Sequence, residues 1–133
     1  MFLVLGAENR WSNLIYVKQG NLLTVIPEWG PNFRITFDLN INSMYSSRSD
    51  GWASVLHFTA TGKDCCSLGD RVPALFTNSK LNSVSFMSNV DHNGNFQKGT
   101  PHGTFPTNTW CKIKIEQKFE GFQVEVMKKY KKY

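Results

Sequence analysis

The sequence contains no run approaching 18 apolar residues, so no helical membrane span is expected. It has no Cys-x-x-Cys pair and no cysteine–histidine spacing of a zinc site. Its 3 cysteines, Cys65, Cys66 and Cys111, are an odd number. Adjacent cysteines rarely pair with each other, because the ring they close is strained. A bridge from one of them to Cys111 and a set of three reduced thiols are both open readings. No ten-residue stretch is amphipathic at helical period, and Pro27 and Pro31 block a helix where they stand. A strong charge of one sign is also missing from the body. The formal net charge is +5, but Lys128, Lys129, Lys131 and Lys132 supply much of it. That terminal segment, with Tyr130 and Tyr133, reads as solvated, and no nucleic-acid partner is expected. Residues 1–7 are apolar but shorter than the core of a leader peptide, and they lack a basic start. Either the chain is not secreted or its true start lies outside this sequence.

What the sequence does have is aromatic and β-branched residues at period two. Of 133 residues, 41% are hydrophobic and 14% aromatic, which favours strands over helices. In 33–41, Phe33, Ile35, Phe37, Leu39 and Ile41 alternate with Arg34, Thr36, Asp38 and Asn40, as in a strand with one face buried and one in water. In 110–117, Cys111, Ile113 and Ile115 alternate with Lys112, Lys114 and Glu116. Residues 122–126 alternate again after Glu120-Gly121, which predicts a hairpin. The apolar runs 22–26, 52–60, 72–77 and 81–89 predict further strands. The 52–60 run is apolar on both faces except at His57, so it predicts a central strand. Residues 91–109 read as a long polar loop. The expected fold class is all-β, an antiparallel two-sheet sandwich or jelly roll. The length suits a single domain over 1–133 that buries roughly two thirds of its unfolded surface. The last strand runs into the terminal lysines without a closing turn, so one or more C-terminal strands are expected to be missing, leaving an exposed edge.

Candidate functional residues lie around the 50–76 stretch and in the 89–95 loop. His57 reads either as a hydrogen-bonded interior histidine or as a ligand-binding or general-base group. No serine or cysteine is tied to it by spacing. In Gly69-Asp70-Arg71, the glycine permits a positive φ, and Arg71 is suited to hold loop carbonyls or a carboxylate in a fork. Asp70 and Arg71 are therefore candidates for structural pinning or ligand contact. Asn89, Asp91, Asn93 and Asn95 offer oxygen donors at alternate positions. That composition suits a Ca2+ loop, but no acidic ligand follows it, and Asn93-Gly94 alone explains it as a hairpin turn. No cofactor and no metal is therefore expected. The same side chains can hydrogen-bond sugar hydroxyls, with Trp52 or Phe96 stacking on a pyranose ring.

The order of these stretches is specific: Trp29-Gly30 before an alternating strand, Gly51 to Thr59, Gly69-Asp70-Arg71-Val72-Pro73-Ala74-Leu75-Phe76, then Asn108-Thr109-Trp110 opening another strand. Over residues 14–127 this resembles the concanavalin A-like, laminin-G-like jelly-roll domains of invertebrate extracellular proteins. The resemblance implies two curved antiparallel sheets, secretion, and binding of carbohydrate or glycoprotein. Galectins share that fold and carry His-x-Asn-x-Arg on a strand. Here His57 is followed by Phe58, Thr59, Ala60 and Thr61, so galectin-type galactoside binding is not expected. Glucanases of the fold carry Glu-x-Asp-x-Glu, a pattern this sequence lacks, so no hydrolase is expected. The expected function is non-enzymatic, lectin-like recognition through rim loops. A structural or adhesion role through protein–protein contact is the alternative. The sequence leaves the oligomeric state open.

Overall fold

The structure is a computed structural model that describes the backbone of residues 2–6 and 15–16, and residues 22–23, 25–44, 46–90, 92–100, 105–118 and 121–128 in full. Nine strands and no helix are found among them. All strand pairs are antiparallel, in two sheets. This is the all-β, two-sheet class that the alternation predicts. The chain divides into two compact units, one of residues 1–43 and 107–133, the other of residues 44–106.

The first unit holds a five-stranded sheet in the order β2-β1-β3-β8-β9. Its strands are β1 (Phe2–Gly6), β2 (Ile15–Tyr16), β3 (Phe33–Asn40), β8 (Trp110–Lys118) and β9 (Gly121–Lys128). Residues Phe37, Leu39, Ile41, Cys111, Ile113 and Ile115 are at most 2% exposed, so the period-two reading of these strands holds. Register places Phe37 opposite Ile113 and Leu39 opposite Cys111 on that apolar face. The other face pairs Arg34 with Glu116 and Asp38 with Lys112. β8 and β9 form the expected hairpin, and β9 ends the sheet order.

The second unit holds a four-stranded sheet in the order β4-β5-β6-β7. Its strands are β4 (Trp52–His57), β5 (Ala74–Asn78), β6 (Ser83–Val90) and β7 (Asn93–Gly99). Every residue of β5 is buried, as are the first six of β6. These two, and not β4, are the central strands. The run at 52–60 is apolar on both sides because its side chains pack beside β5, yet β4 lies at the sheet edge and Ser54 is exposed.

Two further expectations differ from the structure. The segment 22–26 is no strand among its described residues; Leu22, Leu23, Val25 and Ile26 are irregular and exposed. It is apolar but lacks the alternation that separates an inner from an outer face. The polar loop expected over 91–109 instead contains β7, whose mostly polar residues suit an edge strand covered on one side only.

Cys111 is a free, buried thiol in the first unit, and burial pushes its pKa up. Cys65 and Cys66 pair with each other, contrary to the expectation for neighbours, and no bridge reaches Cys111.

Candidate ligand-binding face

The four-stranded sheet has two different faces. Leu56, Leu75, Val84 and Phe86 lie on one, each at most 6% exposed. The other is mixed. It carries Trp52, Ser54 and His57 from β4, Ala74 and Phe76 from β5, Ser85 and Met87 from β6, and Gln97 from β7. Strict alternation separates Trp52 from His57, whose spacing is odd. A β-bulge between Ser54 and Leu56 restores them to one face: Trp52 pairs with Asn78, Ser54 with Phe76 and His57 with Ala74. Ring contacts agree with that register. Trp52 meets Phe76 edge-on at 6.5 Å, and His57 meets the same ring at 6.0 Å. Ala74, Phe76 and Met87 form a buried cluster against which Trp52 packs.

The loop between β4 and β5 supplies the charge. Hydrogen bonds continue the strand ladder past His57: Phe58 N–H donates to Pro73, Val72 N–H to Phe58 and Ala60 N–H to Gly69. The chain then closes on Asp70, which is fully buried. Its carboxylate accepts from the Thr61 hydroxyl at 2.6 Å and from the Ser67 N–H at 2.9 Å. These bonds, Thr61 first, hold its pKa below the ordinary carboxylate value, with help from Lys63 and Arg71. The Asp70 carbonyl accepts a 2.6 Å hydrogen bond from His57 Nε2. A carbonyl only accepts, so Nε2 carries a hydrogen and donates it. Asp70 thus organises the loop from within and offers a ligand no free oxygen.

Arg71 turns the other way, onto the mixed face. It is 8% exposed. Nε donates to the Asp64 carbonyl at 2.8 Å, and Nη1 reaches Asn95 Oδ1 at 2.6 Å and Met87 Sδ at 2.9 Å. The guanidinium carbon lies 4.7 Å from the Phe76 ring centroid. Every one of these partners is neutral. Taking an ion out of water costs several kcal/mol, roughly, even after relaxation. A cation over an aromatic face recovers about 0.5–2 kcal/mol. Among the described residues no carboxylate forms an ion pair with Arg71.

The β6–β7 turn locks this loop in place. With its amide oriented to satisfy both neighbours, Asn89 donates to the Gly94 carbonyl and accepts from Gly69 N–H at 2.6 Å. Asn93 Oδ1 accepts from Asn95 N–H at 2.9 Å. Gly94 lies against the cysteine loop so closely that a Cβ would stand 2.5 Å from the Ser67 carbonyl carbon and 2.7 Å from the Cys66 oxygen. Gly69, at φ +89°, uses the left-handed conformation that glycine permits.

Of the residues singled out from sequence, Trp52, His57, Arg71 and Asn95 meet on the mixed face. Asp70, Asn89 and Asn93 sit in or beside the loop–turn junction. Asp91 lies outside the described residues. Among the described residues no group of three or more His, Cys, Asp or Glu is placed to hold a metal ion. Sequence reasoning missed Ser54, Phe76, Ser85, Met87 and Gln97. Period-two counting back from Gly99 through Gln97 to Asn95 would have found the β7 side, had β7 been read as a strand. The amide of the exposed Gln97 donates to Ser85 Oγ at 2.9 Å. The face therefore combines one partly exposed aromatic ring, Trp52, with hydroxyl, amide and imidazole groups, which suits a flat ligand that is apolar on its surface and polar at its edge. No family model, no curated protein and no solved structure matches the chain.

Proposed function

We propose that the chain is a non-enzymatic, lectin-like module of the concanavalin A-like jelly-roll type, extracellular, which recognises a glycan or a glycosylated partner. The convergence of Trp52, His57 and Arg71 around Phe76, made possible by the bulge in β4, carries this reading. A pyranose ring presents C–H groups on its faces and hydroxyls at its rim. Trp52 is positioned to stack on the former; Ser54, His57 Nδ1 and Gln97 are positioned to bond the latter. This moves the proposed contact from the rim loops to the sheet face, because Asp70, Asn89 and Asn93 are engaged in the loop–turn junction.

One other feature favours the adhesion alternative. Leu22 is 81% and Val25 76% exposed, with Ile26 and Trp29 also exposed in the same segment of the first unit. Exposed apolar side chains in such number suit protein–protein contact. Against a glycosidase stands the character of Glu116. It shares Lys114 with Glu125, and its pKa is lowered to about 2 by the Arg34 hydrogen bond first and by the charges of Arg34 and Lys118. A carboxyl ionised down to that pH is a poor proton donor to a leaving group.

Glycan-array binding of the folded protein, with calcium and with a chelator, tests the proposal. Selective retention of saccharides in both conditions supports it. Absence of retention by a cooperatively folded sample overturns it and leaves the adhesion reading. Retention lost with the chelator brings a metal into the site and turns attention to Asp91 and its neighbours.

A further inference from the structure

We infer that Arg71 is an anion subsite: the glycan taken by the mixed face carries a carboxylate or sulfate group, which the Arg71 guanidinium receives. This rests on the glycan-binding reading of the same face.

Arg71 is more than nine-tenths buried, and a buried ion is ordinarily paired with an opposite charge. Here Nε and Nη1 bond only a carbonyl, an amide oxygen and a thioether. Nη2 makes no hydrogen bond among the described residues. The adjacent carboxylate, Asp70, is turned into the loop and bonded to Thr61 and Ser67. It forms no ion pair with Arg71 among the described residues.

Glu116, at the same 8% exposure, is surrounded by three cations, Arg34 at 2.8 Å, Lys118 at 3.4 Å and Lys114 at 3.5 Å. One sheet thus holds a shielded charge in direct ion pairs, whereas on the other the shielded Arg71 has no direct ion pair among the described residues. Orientation is also prepared. Asp64, Asn95 and Phe76 fix the guanidinium plane from three sides, so an arriving oxyanion meets a rigid donor and loses little freedom in ordering it. Trp52 and His57, both in contact with the Phe76 ring, place the sugar ring that would carry the anion within the same patch.

The test leaves the protein unaltered. Titration calorimetry compares an oligosaccharide ending in a uronic acid, its carboxyl-reduced neutral counterpart, and a sulfated neutral counterpart. The expected result is binding at least tenfold tighter for an anionic form than for the neutral one. The uronate and sulfate arms distinguish which oxyanion is used, and preference for either supports the inference. Equal affinity for the acidic and neutral forms overturns the subsite while leaving glycan recognition standing. No binding of any of the three, by a protein that binds nothing on a glycan array, overturns both. Arg71→Lys, which keeps the charge and removes the guanidinium, is expected to weaken binding of the anionic form by a larger factor than binding of the neutral form, erasing most of the tenfold preference. A loss of both affinities by the same factor would mean that Arg71 only supports the loop, and would overturn the subsite.

Discussion

The two sheets treat charge in opposite ways. On the five-stranded sheet, Glu116 and Glu125 interlock with Arg34, Lys114 and Lys118 in a network whose outer members, Arg34 and Lys118, have side chains more than 60% exposed. On the four-stranded sheet, Asp70 is satisfied by neutral donors inside a loop, and Arg71 by neutral acceptors under an aromatic ring. The first arrangement is closed, since each charge lies within ion-pair distance of an opposite one. In the second, acid and base are neighbours in sequence but are turned apart, and the base faces the side that also carries Trp52, His57 and Gln97. A closed network needs no ligand. An open one is where a ligand's charge is useful, and that difference places the proposed function on the four-stranded sheet.

The largest expected effect tests how rigid the open side is. Gly94→Ala puts a methyl group against the backbone of Cys66 and Ser67, neither of which is a flexible chain end. Denaturant unfolding should show a loss of about 1–3 kcal/mol, the usual cost of overpacking. Gly30→Ala in the first unit, where the nearest atom to a new Cβ is 3.9 Å away, should shift stability by less than about 0.5 kcal/mol. Equal effects would mean that the turn and the cysteine loop are not locked together.

Next comes Asp70→Asn. It keeps the shape but replaces one acceptor oxygen with a donor, facing either Thr61 or Ser67. Thermal melting should fall clearly, and by more than for Glu116→Gln, whose partners are free to turn to water.

Both carboxylates make stability fall on acidification, with a defined sign. A folded pKa below the unfolded one stabilises the protein above the unfolded value, and that contribution is lost as pH falls through the folded value. For Glu116 the window runs from about 4.5 down to about 2. Salt should separate the two groups. At 1 M salt, with a screening length of about 3 Å, the Glu116 value should rise toward the ordinary one, because its donors are the charged Arg34 and Lys118, while Asp70, held first by the neutral donors Thr61 and Ser67, should move less. Carboxyl chemical shifts followed against pH in low and high salt would check this; parallel movement of the two would erase the distinction. The smallest effect belongs to Lys118→Ala. Glu116 keeps Arg34 and Lys114, so melting should be unchanged within error.

The sheet class was legible because Phe33–Ile41 and Trp110–Gln117 alternate without interruption, and alternation states directly which side chains are buried. The site was only half legible. Trp52, His57, Arg71 and Asn95 stand out by residue type, but their common face depends on one inserted residue in β4 and on a polar edge strand, β7. A bulge leaves no mark in hydrophobic periodicity, since Val55 and Leu56 are both apolar. An edge strand with one covered face needs few apolar residues, so residues 93–99 read as loop. Asp70 and Arg71 look alike as candidates in sequence, and only the direction in which each side chain turns separates the one held inside the loop from the one on the mixed face.

Chemical-shift mapping with a saccharide retained on a glycan array tests the central claim most directly. The account predicts the largest shifts at the Trp52 indole, the Gln97 side-chain amide and the Ser54 and Ser85 amides, with little change at Asn93 or on the polar face around Lys114 and Glu116. Shifts centred on the 92–95 turn or on residues 22–29, with the mixed face unmoved, would contradict it.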